Sequence, residues 1–344
     1  MEKKNRVLEK YSQQKKLWNV AVILISIAAS LVAVGISIRF GASNLTYATI
    51  FEAIFHFDEG NSQHVILHEL RLPRAIAALL VGSALAVSGA IMQGVTRNAL
   101  ASPSIMGVTA GASFIVAIAL AISSNASFYV LVLCSFIGAG LGAGLVFSIS
   151  ALGRGGITPV KLALCGSAIT TFLSGLTTAI GLKFDISKDI SYWYAGGLTS
   201  IQPMHIKVAI PFICVGIILA MSLSKSISVL SLGEDVAKGL GQHTGRVRVL
   251  CTIVVLLLTG AAVSIAGMIG FVGLVIPHIT RMLVGVDYRW IIPVSAILGG
   301  GLLLVADIVG RVVNSPFETP VGAVTALIGV PFFLYLARKE GRGL

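Results

Sequence analysis

Charge is scarce in this sequence. Of 344 residues, 11% are Asp, Glu, Lys or Arg, while 56% belong to the hydrophobic set. That balance excludes both an ordinary soluble domain and a disordered chain. A phosphate-binding loop is missing too: no GxxxxGKS or GxxxxGKT occurs, and the nearest run, GLGQHTGR at 239–246, has no Lys-Ser or Lys-Thr to hold phosphate and Mg²⁺. ATP is therefore not expected on this chain through a P-loop. The absence of GxSxG and HExxH leaves no nucleophile–base or zinc-hydrolase arrangement, and no catalysis is expected. The four cysteines, Cys134, Cys165, Cys214 and Cys251, stand in apolar runs without CxxC spacing and read as packing residues. His64 and His68 lie four apart but lack a third ligand, since Glu69 falls on another face, so no metal site is expected. His278 reads as a packing or hydrogen-bonding residue.

What the chain has instead is long apolar runs. Residues 17–38 and 247–268 are each long enough to cross ~30 Å of hydrocarbon as a helix. The first follows a basic tail (1–17), as in a signal peptide, but it is about twice the usual apolar length and has no small-residue cleavage site, so it reads as a retained span. Ten spans are expected, at 18–38, 72–94, 104–123, 128–150, 161–182, 206–224, 247–268, 272–286, 290–310 and 320–337, within one membrane domain (18–340). The eighth is short and broken by Pro277. An even number puts both termini on one side, and Lys3, Lys4, Arg6, Lys10, Lys15 and Lys16 mark that side as cytoplasmic. This topology places 18 of the 25 Lys and Arg residues inside.

Against that trend, Arg71, Arg74 and Arg311 fall on the outer side. One reading is interfacial snorkelling or phosphate bonding, with Pro73 starting its helix. The other is an exposed set of forked donors for carboxylates of a protein or an anionic ligand. Within the spans ionisable groups are nearly absent, with Asp307 near the outer end of the ninth and Arg281 near the inner end of the eighth. An ion-coupled carrier keeps titratable groups near the midplane, so energy is expected from a partner.

Three further features point to packing and coupling. Gly138, Gly140, Gly142 and Gly144 form overlapping small-xxx-small pairs suited to close helix approach. The longest inner loop, 231–246, contains a short helix signal: Ser231 as cap, Glu234 and Asp235 at the positive N-terminus, Val236 and Leu240 as an apolar edge, and Gly239 and Gly241 as the stop. Its acidic start suits docking to another protein better than lying on anionic lipid. Spans two and seven also share a pattern, AVSGAIM at 86–92 against AVSIAGM at 262–268, in opposite orientation, as in an inverted repeat or by chance among small-residue helices.

Four ordered motifs resemble one family: RLPRAIAALLVGSALAVSGAIMQGVTRNALASPSIMGVTAGAS (71–113), SLGEDVAKGLGQHTGRVR (231–248), GFVGLVIPHITRML (270–283), and ADIVGR followed by PFETPVGAVTALIGVPFF (306–333). They are similar to the permeases of bacterial ABC importers for ferric siderophores, haem and cobalamin, over about residues 20–340. The resemblance implies an all-α, ten-span type II importer fold with an inverted repeat relating spans 2–5 and 7–10. It implies a bacterial cell-membrane protein that pairs with a second permease, two cytoplasmic ATPases carrying the ATP and Mg²⁺, and an external substrate-binding protein. No cofactor, metal or nucleic acid is expected on this chain; membrane lipid is. By position, Arg71, Arg74 and Arg311 would receive acidic residues of the binding protein. Asn98 and Leu100, with Thr158 as a weaker match, would form the cytoplasmic gate. Gly233, Glu234, Asp235, Val236, Lys238, Leu240 and Gly241 would couple to the ATPase. Relatives usually have Pro where this chain has Ala99, which frees the gate backbone. No motif reads the cargo, and the resemblance puts ferric siderophores before haem and cobalamin. The alternatives are an ion-coupled secondary carrier and a membrane receptor that moves nothing.

Overall fold

A computed structural model describes residues 2–340 except 41–44, 104–106, 124–125, 153–158, 189, 191–196, 200 and 315–316. The described residues form helices and connecting loops, with no strand among them. In chain order the helices are α1 (Glu2–Arg39), α2 (Tyr47–Phe55), α3 (Ser62–Ile66), α4 (Leu72–Thr96), α5 (Val108–Ile122), α6 (Phe128–Leu152) and α7 (Pro159–Lys183). Then follow α8 (Pro203–Ser231), α9 (Glu234–Gly239), α10 (Thr244–Ala266), α11 (Val272–Val284), α12 (Tyr288–Val312) and α13 (Val321–Glu340). Seven stretches are long and apolar enough to cross a membrane, on α1, α3–α4, α6, α7, α8, α10 and α12, and α5, α11 and α13 are shorter apolar helices. Each expected span falls on one of these. The basic tail is the first part of α1.

α4 is the axis of the bundle. It packs against α8, α10, α11 and α12, and 78% of its most apolar stretch is buried, against 22% for α1. Small residues allow this. A Cβ on Gly82 would collide with the Gly299 backbone of α12, so the two helices touch main chain to main chain. The glycine row of α6 divides in the same way: Gly138 and Gly142 press on α5 at Gly111 and Gly107, while Gly140 and Gly144 meet nothing within 4 Å. Residues 86–92 lie on α4 and 262–266 on α10, which ends before Gly267; the two helices pack together, and the Thr259 hydroxyl of α10 donates to Ser88 Oγ of α4 at 3.3 Å.

Two prolines behave differently from their sequence reading. Pro277 does not break its span; α11 runs through it. The carbonyl that Pro277 cannot bond, four residues back at Gly273, instead accepts Gln93 Nε2 of α4 at 3.3 Å, and Leu274 O accepts the same nitrogen. Pro73 acts on the turn before it. It cannot donate to the Glu69 carbonyl and its ring crowds that oxygen, and the Leu67–Arg71 turn opens to a π-helix, with Leu72 N–H bonding Leu67 O.

Candidate functional sites at the two ends of the bundle

At the start of α4 the three arginines are not exposed forks, and the expectation that they would be is corrected. Arg71 is 7% exposed, and its Nη1 donates to the carbonyls of Ile38 (2.6 Å) and Arg39 (2.9 Å). Arg311 reaches the same helix end: Nη1 donates to Ser37 O (3.1 Å) and Phe40 O (2.9 Å), and Nη2 to Ser37 Oγ (2.7 Å). The last carbonyls of α1 have no intrahelical partners, so cations suit that end by hydrogen bonding and by the helix dipole.

Carboxylates complete the cluster. Asp307, with no exposed surface, accepts Arg74 Nε on Oδ1 at 2.8 Å, with Arg74 Nη2 ion-paired to the same oxygen at 2.8 Å, and its Oδ2 lies 3.0 Å from Arg311 Nη2, out of line for a hydrogen bond. Glu318, in the segment after α12, puts both oxygens on Arg74 Nη1 at 2.9 and 3.0 Å and accepts the Thr199 hydroxyl at 3.0 Å. Burial pushes the Glu318 carboxyl up, but the Arg74 hydrogen bonds and charge outweigh that and hold it below the usual glutamate range. Three guanidiniums face two carboxylates, leaving one positive charge, and the Glu318 side chain (37% exposed) is the open edge of the cluster. Beside Thr199 a cavity of about 390 Å³ is lined by Gly197, Ile201, Gln202, Ala266 and the stacked rings of Phe128 and His205, 3.9 Å apart.

About 33 Å away, at 1.5 Å per residue along α4, the helix ends on Arg97 in the left-handed region (φ 53°). Asn98 Oδ1 then accepts Leu100 N–H at 2.9 Å, and Asn98 O accepts Ala101 N–H at 3.1 Å. That side-chain turn supplies the constraint that a proline at position 99 would have given. Thr158 lies outside the described residues.

The short helix α9 sits at this end, with Gly233 beside the Arg97 guanidinium. Ser231 does not cap it. Ser231 is the last residue of α8 and donates to Ser228 O, and Gly233, at φ 131°, takes the N-cap position without a side-chain bond. Glu234 pairs with Lys238 (3.0 Å) and Arg248 (2.7 Å), whose hydrogen bonds, Lys238 first, hold its carboxyl below the usual range. Ala237 is buried beneath, while Asp235, Val236, Lys238 and Leu240 are exposed, and Gly241 (φ 79°) ends the turn. An apolar edge framed by charges on a braced helix can receive a protein groove.

Sequence reasoning missed Glu318 and Thr199 as members of the first cluster. The i, i+4 spacing of Asp307 and Arg311 is a signal in the sequence for their pairing, which the sequence reading did not use; partners 244 and 119 residues apart leave no such signal. His64 and His68 are structural: His64 Nδ1 accepts Asp58 N–H at 3.2 Å, and His68 Nε2 bonds Ala53 O at 2.9 Å. No group of three potential metal ligands occurs among the described residues.

A model of the FecCD transport family matches residues 26–339. The chain belongs to the FecCD transport family. This permease is 57% identical over 326 residues to the iron(3+)-hydroxamate import system permease FhuB of Bacillus subtilis, covering 94% of this chain and 85% of that one. It is 37% identical to the ferric enterobactin transport system permease FepD of Escherichia coli, covering 91% and 93%. Its backbone superposes with a TM-score of 0.79 on an inward-facing structure assigned to the metal-chelate type of ABC transporter, at 29% identity, covering 93% of this chain and 99% of that one. The FecCD permease is thus a multi-pass membrane subunit of an ABC importer, not an ion-coupled carrier, and ATP hydrolysis belongs to a separate partner. ATPase and substrate-binding-protein partners go with that family.

Proposed function

We propose that this permease forms the membrane path for a ferric hydroxamate or closely related iron–siderophore chelate. The 57% identity to a hydroxamate permease over 94% of the chain carries this reading. Two permease copies, or this chain and a paralogue, enclose the path, with two ATPases on the α9 side holding all the ATP and Mg²⁺. Both termini then face the cytoplasm and the arginine cluster faces outward. α4 and α10 are corresponding helices of two inverted halves.

A loaded binding protein docks on the Arg71, Arg74 and Arg311 cluster. The residual positive charge and solvent-open Glu318 edge support this, because an incompletely neutralised guanidinium cluster with an open edge attracts an external carboxylate. Two copies offer two such sites, one for each lobe of the binding protein. ATP binding draws the ATPases together, and Gly233–Gly241 transmits the movement through Val236, Leu240, Asp235 and Lys238, with Glu234 bracing the helix from Lys238 and Arg248. Asn98 and Leu100, with Thr158, close the cytoplasmic mouth. Walls of apolar, Ser, Thr and Gly residues let a polar chelate pass without a deep binding well.

The test is uptake of radiolabelled ferric hydroxamate into proteoliposomes holding the permease, its ATPase and its binding protein. Uptake is expected to require ATP inside and to stop with a hydrolysis-dead ATPase. Uptake that ignores the ATPase and collapses with the proton gradient would refute it.

A further inference from the structure

Asp307 and Glu318 hold Arg74 in unequal ways. Asp307 is fully buried, takes the Nε–Nη2 edge of the guanidinium and also neutralises Arg311. Glu318 stands on the segment between α12 and α13, is partly open to solvent, and brings both oxygens to a single nitrogen, Nη1. Neither carboxylate makes the two parallel bonds of a fork-to-fork pair, so what sets them apart is access: Glu318 is 37% exposed and Asp307 has no exposed surface, which makes Glu318 the one an outside group can reach and replace. Its remaining bond is to Thr199, whose neighbours Gly197, Ile201 and Gln202 border the cavity at this end, and Gly197 N–H is fixed to Ala266 O at 3.0 Å. Glu318 therefore links the arginine surface to one wall of the cavity.

We infer that Glu318 is a displaceable internal carboxylate, holding Arg74 Nη1 until a carboxylate of the docking protein takes its place, and that the exchange frees the Thr199 segment at the cavity wall. This rests on the docking reading given above. The exchange swaps one carboxylate for another on the same nitrogen while Asp307 keeps the opposite edge, so the buried pair stays intact. Glu318 is a positioning residue here: it sets how readily Arg74 accepts an outside partner and reports docking to the cavity through Thr199.

The experiment measures docking of the binding protein to the permease–ATPase complex in nanodiscs, for wild type, Glu318→Gln and Thr199→Val. Glutamine keeps the size of Glu318 but not its charge, and with one acceptor oxygen where the carboxylate has two it holds Arg74 and Thr199 less firmly; it is expected to tighten docking about tenfold, since close charge pairs carry that much coupling. Valine at 199 leaves the carboxylate but removes one bond holding it, and is expected to tighten docking about threefold. In both variants hydrogen exchange at 197–202 in the undocked complex should match that of docked wild type. Unchanged or weaker docking by Glu318→Gln, or exchange at 197–202 that docking does not alter, overturns the inference. Raising salt and neutralising acidic residues of the binding protein separate the two levels. If neither weakens wild-type docking, the docking reading fails and the exchange falls with it. If both weaken it while Glu318→Gln docks like wild type, the docking reading stands and the exchange alone is lost.

Discussion

Removing the Asp307 carboxylate is the sharpest probe of the arginine cluster. Asp307→Ala takes away the only fully buried anion of the group. Arg311 keeps bonds to Ser37 and Phe40, and Arg74 keeps Glu318, but three guanidiniums then face one carboxylate and the net charge rises from one to two. Deleting one partner of a buried pair costs about 3–5 kcal/mol, because the other charge stays desolvated. Arg74, at 13% side-chain exposure, recovers some solvent, which favours the lower end, about 3 kcal/mol. Asp307→Asn keeps an acceptor for Arg74 and should cost less. The assay is equilibrium unfolding of the purified permease in mixed micelles, with Arg311→Met added on the Asp307→Ala background. That second change removes the orphaned cation and should restore about 0.5–3 kcal/mol. A loss below ~1 kcal/mol for Asp307→Ala, the range of exposed ion pairs, would refute the idea that these groups neutralise one another out of water.

Two other outcomes follow from the geometry. Gly142→Leu should destabilise the α5–α6 contact by about 1–3 kcal/mol through overpacking against Gly107, whereas Gly144→Leu, which meets nothing within 4 Å, should be close to neutral; equal effects in thermal unfolding would contradict that packing. The Glu234 carboxyl is lowered in the folded protein, so its pairing with Lys238 and Arg248 is complete above the ordinary glutamate value of 4.5 and is lost only as pH falls through the depressed one. A spin label at Leu240→Cys should keep the same mobility down to that range, and loosening well above it would argue against the pair as the brace of α9.

How much was legible in the sequence depended on the range of the interaction. The spans were, because runs such as 247–268 carry their own signal, and so was α9, because Glu234, Asp235, Val236 and Leu240 are spaced as one turn and a half. Its cap was not. The apolar residues Ile227 and Leu230 are buried and carry α8 on to Ser231, so that Gly233, not Ser231, begins α9. Pro277 read as a break because Gln93, 180 residues away, could not be seen to satisfy Gly273. The arginines stood out for their sidedness, but the α1 carbonyls and Glu318 that hold them belong to tertiary structure.

α1 is fastened at the two ends of its apolar stretch, Gln13–Arg39. Near one, Trp18 Nε1 donates to the Leu283 carbonyl at 2.9 Å; at the other, Arg71 and Arg311 take its last carbonyls. Between them most of its surface is outside the bundle. A chain made from its N-terminus delivers these fasteners late: residue 71 soon after the helix, residues 283 and 311 only when most of the polypeptide exists. Arg71 can take the carbonyls of Ile38 and Arg39 soon after α1 is made, whereas the Ser37 and Phe40 carbonyls and the Trp18 indole gain their partners only with Arg311 of α12 and Leu283 of α11. The fastening of α1 is thus completed in two stages set by chain order.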